Sequence, residues 1–185
     1  MTKRSLGILA LSAALLACGT GDAKAQDAKK GASPATGIIV DVTASDAEMN
    51  AAIARAHATT DELLARLRHP SPAQTYLGVK VQFANERAGE HIWLYEVRLD
   101  GDHIVGRLLD DAEHFPQYHR GDVIRVLPSE ISDWMTVENG RACGGFSMRV
   151  LVRRLSADQR KAYLRSMRVP RLPPGDRLCD TEDGG

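Results

Sequence analysis

The sequence predicts an α+β domain: an N-terminal amphipathic helix packed on a curved, mostly antiparallel sheet of about five or six strands, with a short C-terminal helix. Three observations predict it. Met49, Ile53, Ala56, Leu63, Leu64 and Leu67 recur at intervals of three, four and seven, the apolar stripe of a helix. From Thr75 the period changes to two, with Val79, Val81 and Phe83 alternating with Lys80 and Gln82. Asp100-Gly101 and Asn139-Gly140 stand between apolar-rich segments and signal tight hairpins.

The elements follow in order. Ser45-Asp46-Ala47-Glu48 reads as a capping box, with Thr59-Thr60-Asp61 as a second cap inside the helical stretch. His69-Pro70-Ser71-Pro72 ends it, because proline lacks the backbone donor and restricts its predecessor. Residues 79–83 form a half-buried strand. In residues 90–99, His91, Trp93, Tyr95 and Val97 share one face while Ile92 and Leu94 take the other, so this strand is expected to be central and covered on both sides. Residues 103–109 form a third strand, in which Gly106 marks a bulge or a close backbone approach. Residues 110–120 are polar and contain Pro116, a solvated loop. A fourth strand spans 122–127. The pivotal hairpin pairs 131–137 with a long strand over 141–155. Ser156-Ala157-Asp158-Gln159 is a further capping box, opening a helix to about Met167. Residues 169–185 are Pro-rich and lack periodicity, the pattern of a tail.

The first residues have the pattern of an export signal. Lys3 and Arg4 form a basic start and residues 6–17 an uncharged apolar run, short of the roughly 20 residues that span a bilayer. Two cleavage sites compete. Leu15-Leu16-Ala17-Cys18 resembles the bacterial lipobox, which makes residues 1–17 a signal peptide and Cys18 the lipid-bearing residue. Ala23-Lys24-Ala25 is a site for ordinary signal peptidase, with cleavage after 25. Residues 18–44 then form a flexible tether, leaving 45–168 as the folded domain. The expected address is the periplasm, with an outer-membrane tether if Cys18 is lipidated and a soluble periplasmic or secreted protein otherwise. Basic and acidic residues balance at 24 each, which argues against bulk attraction to nucleic acid.

Cys143 and Cys179 remain under either cleavage, and an oxidising compartment favours a bridge between them that pins the tail to the pivotal hairpin. One buried and one exposed thiol is the other reading. His57 and His69 read as solvated surface residues. Asp110, Asp111, Glu113, His114 and His119 match no metal cage, and the sequence implies neither a metal centre nor a cofactor. The arginines from Arg149 to Arg177 are either solvated or turned toward anionic lipid or cell-wall polymer.

With these segments in view, residues 46–155 resemble the YegJ-like family of domains of unknown function (DUF2314). The shared order is Asp-Ala-Glu-Met-Asn-Ala-Ala-Ile-Ala at 46–54, Val79-Lys80-Val81, Glu90-His91-x-Trp93, Gly106-x-Leu108 and Gly121-Asp122. Ile131-Ser132-Asp133-Trp134-Met135, Gly140 and Gly144-Gly145-Phe146 leading to Arg149-Val150-Leu151 complete it. The pattern departs at Asp110-Asp111-Ala112. The resemblance implies an α+β domain and carries no agreed activity.

Glu90, His91, Trp93, Asp133 and Trp134 are the candidate recognition residues, with aromatic walls and polar anchors of one cleft. Against this, Trp is a large core filler, Asp133 an acceptor for backbone N–H groups at a bend, and His91 a hydrogen-bonded partner. The leading expectation is a non-catalytic, exported binding or accessory module whose partner is an envelope protein or cell-wall component. The other expectations are an envelope hydrolase using Glu90, His91 and Asp133, and an immunity-type protein inhibiting a toxin.

Overall fold

The computed structural model describes residues 46–86 and 88–180; Cys18 and the segments expected to be a signal peptide and a tether lie outside them, the described residues beginning two after the expected tether's end at 44. Two helices, α1 (Ala47–Ala58) and α2 (Thr60–Arg68), precede strands β1 (Gln74–Ala84), β2 (Gly89–Asp100), β3 (His103–Leu108), β4 (Val123–Val126), β5 (Ile131–Glu138) and β6 (Arg141–Gly144). Helices α3 (Phe146–Arg154) and α4 (Ala157–Ser166) follow. The strands form one antiparallel sheet in the order β4-β3-β2-β1-β5-β6, so the fold is α+β as the sequence indicates.

The helical stripe breaks at Thr59. Its hydroxyl donates to the Arg55 carbonyl at 3.0 Å and accepts the Trp134 indole N–H at 3.1 Å, which ties the break to the core. α1 is capped by Asp46, whose carboxylate accepts the Met49 N–H at 3.0 Å; Ser45 lies outside the described residues. The second capping box forms as read, with Ser156 and Gln159 each accepting the other's backbone N–H. Asn139 and Gly140 both have positive φ, 50° and 73°, as a two-residue I′-type turn requires.

Both faces of the sheet are covered. Leu77, Val79, Val81, Ile92 and Leu94 bury against Met49, Ala52, Ala56 and Leu63 of α1 and α2. On the opposite face Trp93, Met135 and Val137 pack with Met148 and Val152 of α3, and with Met167 and Val169. Two expectations are corrected by this packing. β1 is central and not half-buried, and Lys80 on it is only 8% exposed. The loop over 110–120 is not merely solvated: Ala112 and Phe115 are buried, and Phe83 stacks against Tyr118 with centroids 4.6 Å apart.

The long strand over 141–155 is also corrected. β6 ends at Gly144, where the chain enters the left-handed region twice, at Gly144 (φ 77°) and Gly145 (φ 70°). A Cβ at Gly144 would run into the Trp134 carbonyl. The double left-handed step swings the backbone out of the ladder and starts α3.

The tail is tied down. Cys143 and Cys179 form a disulfide. Around it, the Gly144 N–H donates to the Leu178 carbonyl at 2.9 Å, and the Asp180 N–H to the Ala142 carbonyl at 2.8 Å. The Arg149 guanidinium donates to the carbonyls of Gly144, Gly175 and Arg177, and the Arg171 guanidinium to the Asp180 carboxylate at 2.8 Å.

Two outcomes follow from this geometry. Converting both Cys143 and Cys179 to Ser opens a loop with a sequence separation of 36. Urea unfolding should then show a loss of roughly 2–4 kcal/mol; an unchanged midpoint would mean that the bridge contributes nothing. Gly144→Ala should cost about 1–3 kcal/mol or more, because it combines a strained φ with a backbone clash. A thermal melt matching the parent protein would contradict that.

Candidate functional site

The centre of the sheet carries an unusual run of polar side chains on its α3/α4 face. Lys80 of β1 stands opposite Trp93 on β2 and opposite Asp133 on β5. Its ammonium lies 5.8 Å from the centre of the Trp93 ring and 3.5 Å from Ser147 Oγ of α3. Burial lowers the Lys80 pKa, and the nearby Asp133 charge opposes that.

Asp133 is fully buried. Its carboxylate accepts the backbone N–H of Trp134 (2.8 Å), Phe146 (3.1 Å) and Ser147 (2.8 Å), and the Ser147 hydroxyl at 2.7 Å. Two of these N–H groups are the first of α3, so Asp133 caps that helix from a neighbouring strand, where the helix dipole favours negative charge. Burial raises its pKa, while the Ser147 bond and the Lys80 charge act to hold the proton off. Trp134 is equally enclosed, edge-on to Phe146 and with the Arg66 guanidinium 5.7 Å from its ring centre.

His91 sits next to a register shift in β5. Between the pairs Lys80–Asp133 and Val81–Ile131, Ser132 is the extra residue. The Ser132 hydroxyl donates to the Lys80 carbonyl at 3.3 Å, so at 2.8 Å it must accept from His91 Nδ1. The neutral imidazole therefore keeps its proton on Nδ1 and offers Nε2 as an acceptor. Burial, reinforced by the Lys80 charge, lowers the His91 pKa to about 4. The preceding Glu90 accepts the backbone N–H groups of Glu113 (3.0 Å) and His114 (3.1 Å), anchoring the loop after β3.

A cavity of about 220 Å³ opens here, lined among others by Lys80, Glu90, His91, Trp93, Asp110 and Tyr163. Burial raises the Tyr163 pKa to about 12, partly offset by the Trp93 indole N–H beside it. No hydrogen bond of normal geometry joins the two, and that indole N–H is buried without a partner. A wider hollow of about 700 Å³ adjoins, sharing Leu109 and Met167 and bordered by Tyr76, Glu96, Arg120 and Arg168. Glu96 and Arg168 there adopt positive φ, 50° and 56°.

Of the five recognition residues expected from the sequence, Glu90, His91 and Trp93 line the cavity. Asp133 and Trp134 do not; they bind α3 and α1 to the sheet. Lys80 and Tyr163 line the cavity too, and Ser147 meets Lys80, although the sequence marks none of the three as a site residue. Lys80 is the lone cation between two valines in a strand, a signal that becomes legible only once both faces are known to be covered. His57 is exposed as read, yet its Nε2 lies 2.6 Å from the Ile131 carbonyl. Among the described residues no three His, Cys, Asp or Glu side chains gather to hold a metal ion.

His91 gives a pH test. Its folded pKa is depressed below the ordinary 6.5, so the unfolded chain binds more protons in between. Its contribution to stability is complete above about 6.5 and is lost as pH falls toward about 4. The melting temperature should fall as pH drops through that window, and His91→Gln should flatten the slope. An imidazole NMR titration with a midpoint near 6.5 would refute this.

Comparison with known proteins supplies a family but no activity. A Neisseria meningitidis serogroup B protein that bears an ankyrin-repeat name is 27% identical over 154 residues, which cover 79% of this chain. The match spans 61% of that protein, so the relative is considerably longer than the shared region. No solved structure matches. Residues 46–169 match the family described as uncharacterized protein conserved in bacteria, and over that span the chain belongs to the DUF2314 family.

Proposed function

We propose that the protein is an exported, non-catalytic binding or accessory module of the bacterial cell envelope, tethered through a lipid on Cys18. The cavity beside His91 is its recognition site. The amphipathic helix near the N-terminus and a curved sheet serve as the rigid scaffold that holds it. The observation that carries this reading is the cavity itself: Glu90, His91 and Trp93 meet there around a buried lysine.

Two further observations support it. Glu90 and Asp133 spend their carboxylate oxygens on backbone N–H groups, which favours a binding role over an acid–base set with His91. The Cys143–Cys179 bridge suits an oxidising compartment, in keeping with the export-like first residues. The outer membrane is the address we favour, with the domain facing the periplasm.

A crosslinked pull-down of the full-length protein from its own envelope tests this. Wild type should retain a component that His91→Gln and Trp93→Phe lose while remaining folded by circular dichroism. Cys18→Ser should move the protein from the membrane pellet to the soluble fraction. Recovery of the same material with all variants, or an unchanged pellet for Cys18→Ser, would overturn the proposal.

A further inference from the structure

The cavity in front of Lys80 holds two buried donors that lack adequate acceptors. Lys80 is 8% exposed and Trp93 is 6% exposed. An ammonium has three N–H groups to place. Lys80's one hydrogen-bond acceptor among the described residues is Ser147 Oγ, at the 3.5 Å limit. Its counter-charge Asp133 already receives four donors from Trp134, Phe146 and Ser147. Among the described residues the Trp93 indole N–H makes no hydrogen bond of normal geometry, with only the Tyr163 hydroxyl beside it. Buried donors are ordinarily paired, and a pair of orphans lining one hollow marks a place for an acceptor that arrives from outside.

The lining has the opposite character elsewhere. Asp110 contributes a carboxylate with no hydrogen bond among the described residues, and Glu90 and Asp111 add negative charge beside it. His91 Nε2 is an acceptor, because its Nδ1 proton is committed to Ser132. The lining thus carries both a cation and carboxylates, around about 220 Å³. That volume lies below the roughly 300 Å³ at which drug-sized ligand pockets begin.

We propose that this cavity binds a small zwitterion, a free α-amino acid with a short side chain. Its carboxylate is taken by Lys80 Nζ and the Trp93 indole N–H, and its ammonium by Asp110 and His91 Nε2. The Trp93 and Tyr163 rings form the wall against which the side chain rests. This rests on reading the cavity as the recognition site, and it names the ligand class.

The test uses the full chain, titrated calorimetrically and by ¹⁵N NMR with L-alanine, acetate, ethylamine and inorganic phosphate as separate probes. Alanine should bind and shift the Trp93 indole N–H resonance, with acetate at least about tenfold weaker for want of the charged amine contact. Lys80→Met should weaken alanine and acetate alike by at least about tenfold. Asp110→Asn, at a partly exposed position, should erase the preference for alanine over acetate, and it decides the matter if Lys80→Met does not fold. Equal binding of alanine by wild type and Asp110→Asn overturns the inference. So does Lys80-dependent binding of phosphate without alanine, which leaves the cavity a recognition site for a different ligand. Failure of every probe, with a His91-dependent component still captured from the envelope, sinks the amino-acid assignment alone; failure of both sinks the site.

Discussion

The structure depends on one buried carboxylate. Asp133 leaves the middle of β5 and receives the opening N–H groups of α3, which otherwise would be orphaned inside the protein. A charge in such a place is tolerable only because every neighbour is a donor or a cation: three backbone N–H groups, a hydroxyl and the Lys80 ammonium nearby. The arrangement fixes where the chain turns after β6, and so where α3 lies on the sheet. α3 in turn supplies Phe146 and Val150 to one core and Met148 and Val152 to the other. Without the cap, neither layer would be held in register with the strands.

This is also where the sequence is hardest to read. Strands β1 to β5, the Asn139-Gly140 hairpin and the Ser156 cap announce themselves through local rules: a period of two, a turn dipeptide, a reciprocal cap. Phe146-Ser147-Met148-Arg149-Val150 alternates apolar and polar residues and contains a β-branched residue, so it follows the same strand rule. What makes it helical is remote: a carboxylate thirteen residues earlier and two glycines that divert the backbone. The family resemblance contains all of these residues, yet a pattern of identities does not say which groups touch. The site was partly legible for the same reason. His91 and Trp93 stand out by type, whereas Lys80 looks like the solvent face of a strand until α3 and α4 are laid over it.

The basic C-terminal quarter shows how far charge counts can mislead. Arg149 is buried and braces three carbonyls, and burial lowers its pKa to about 10. Arg153 grips Glu48 and Arg154 grips Glu48 and Asp46 at the start of α1; the Arg154 guanidinium, with the Met49 N–H, holds the Asp46 pKa down to about 2. Arg66 lies against Trp134 and the sulfurs of the Cys143–Cys179 bridge. These cations join elements distant in sequence.

The bonded tail has a meaning beyond its anchorage. β6 ends the sheet on one side, and a terminal strand exposes a row of unused N–H and C=O groups that invites another chain. Residues 178–180 lie along that row, taking the Gly144 N–H and filling the Ala142 carbonyl, while the disulfide holds them there. The opposite edge is guarded differently: β4 is only four residues long, with Arg125 in its middle paired to Asp100. The molecule thus protects one flank by its shortness and charge and the other by a covalently latched strip of its own chain. In a reducing environment the latched flank loses its covalent tie, and the hydrogen bonds of residues 178–180 with β6 and the Arg149 and Arg171 guanidinium bonds are what still cover that edge.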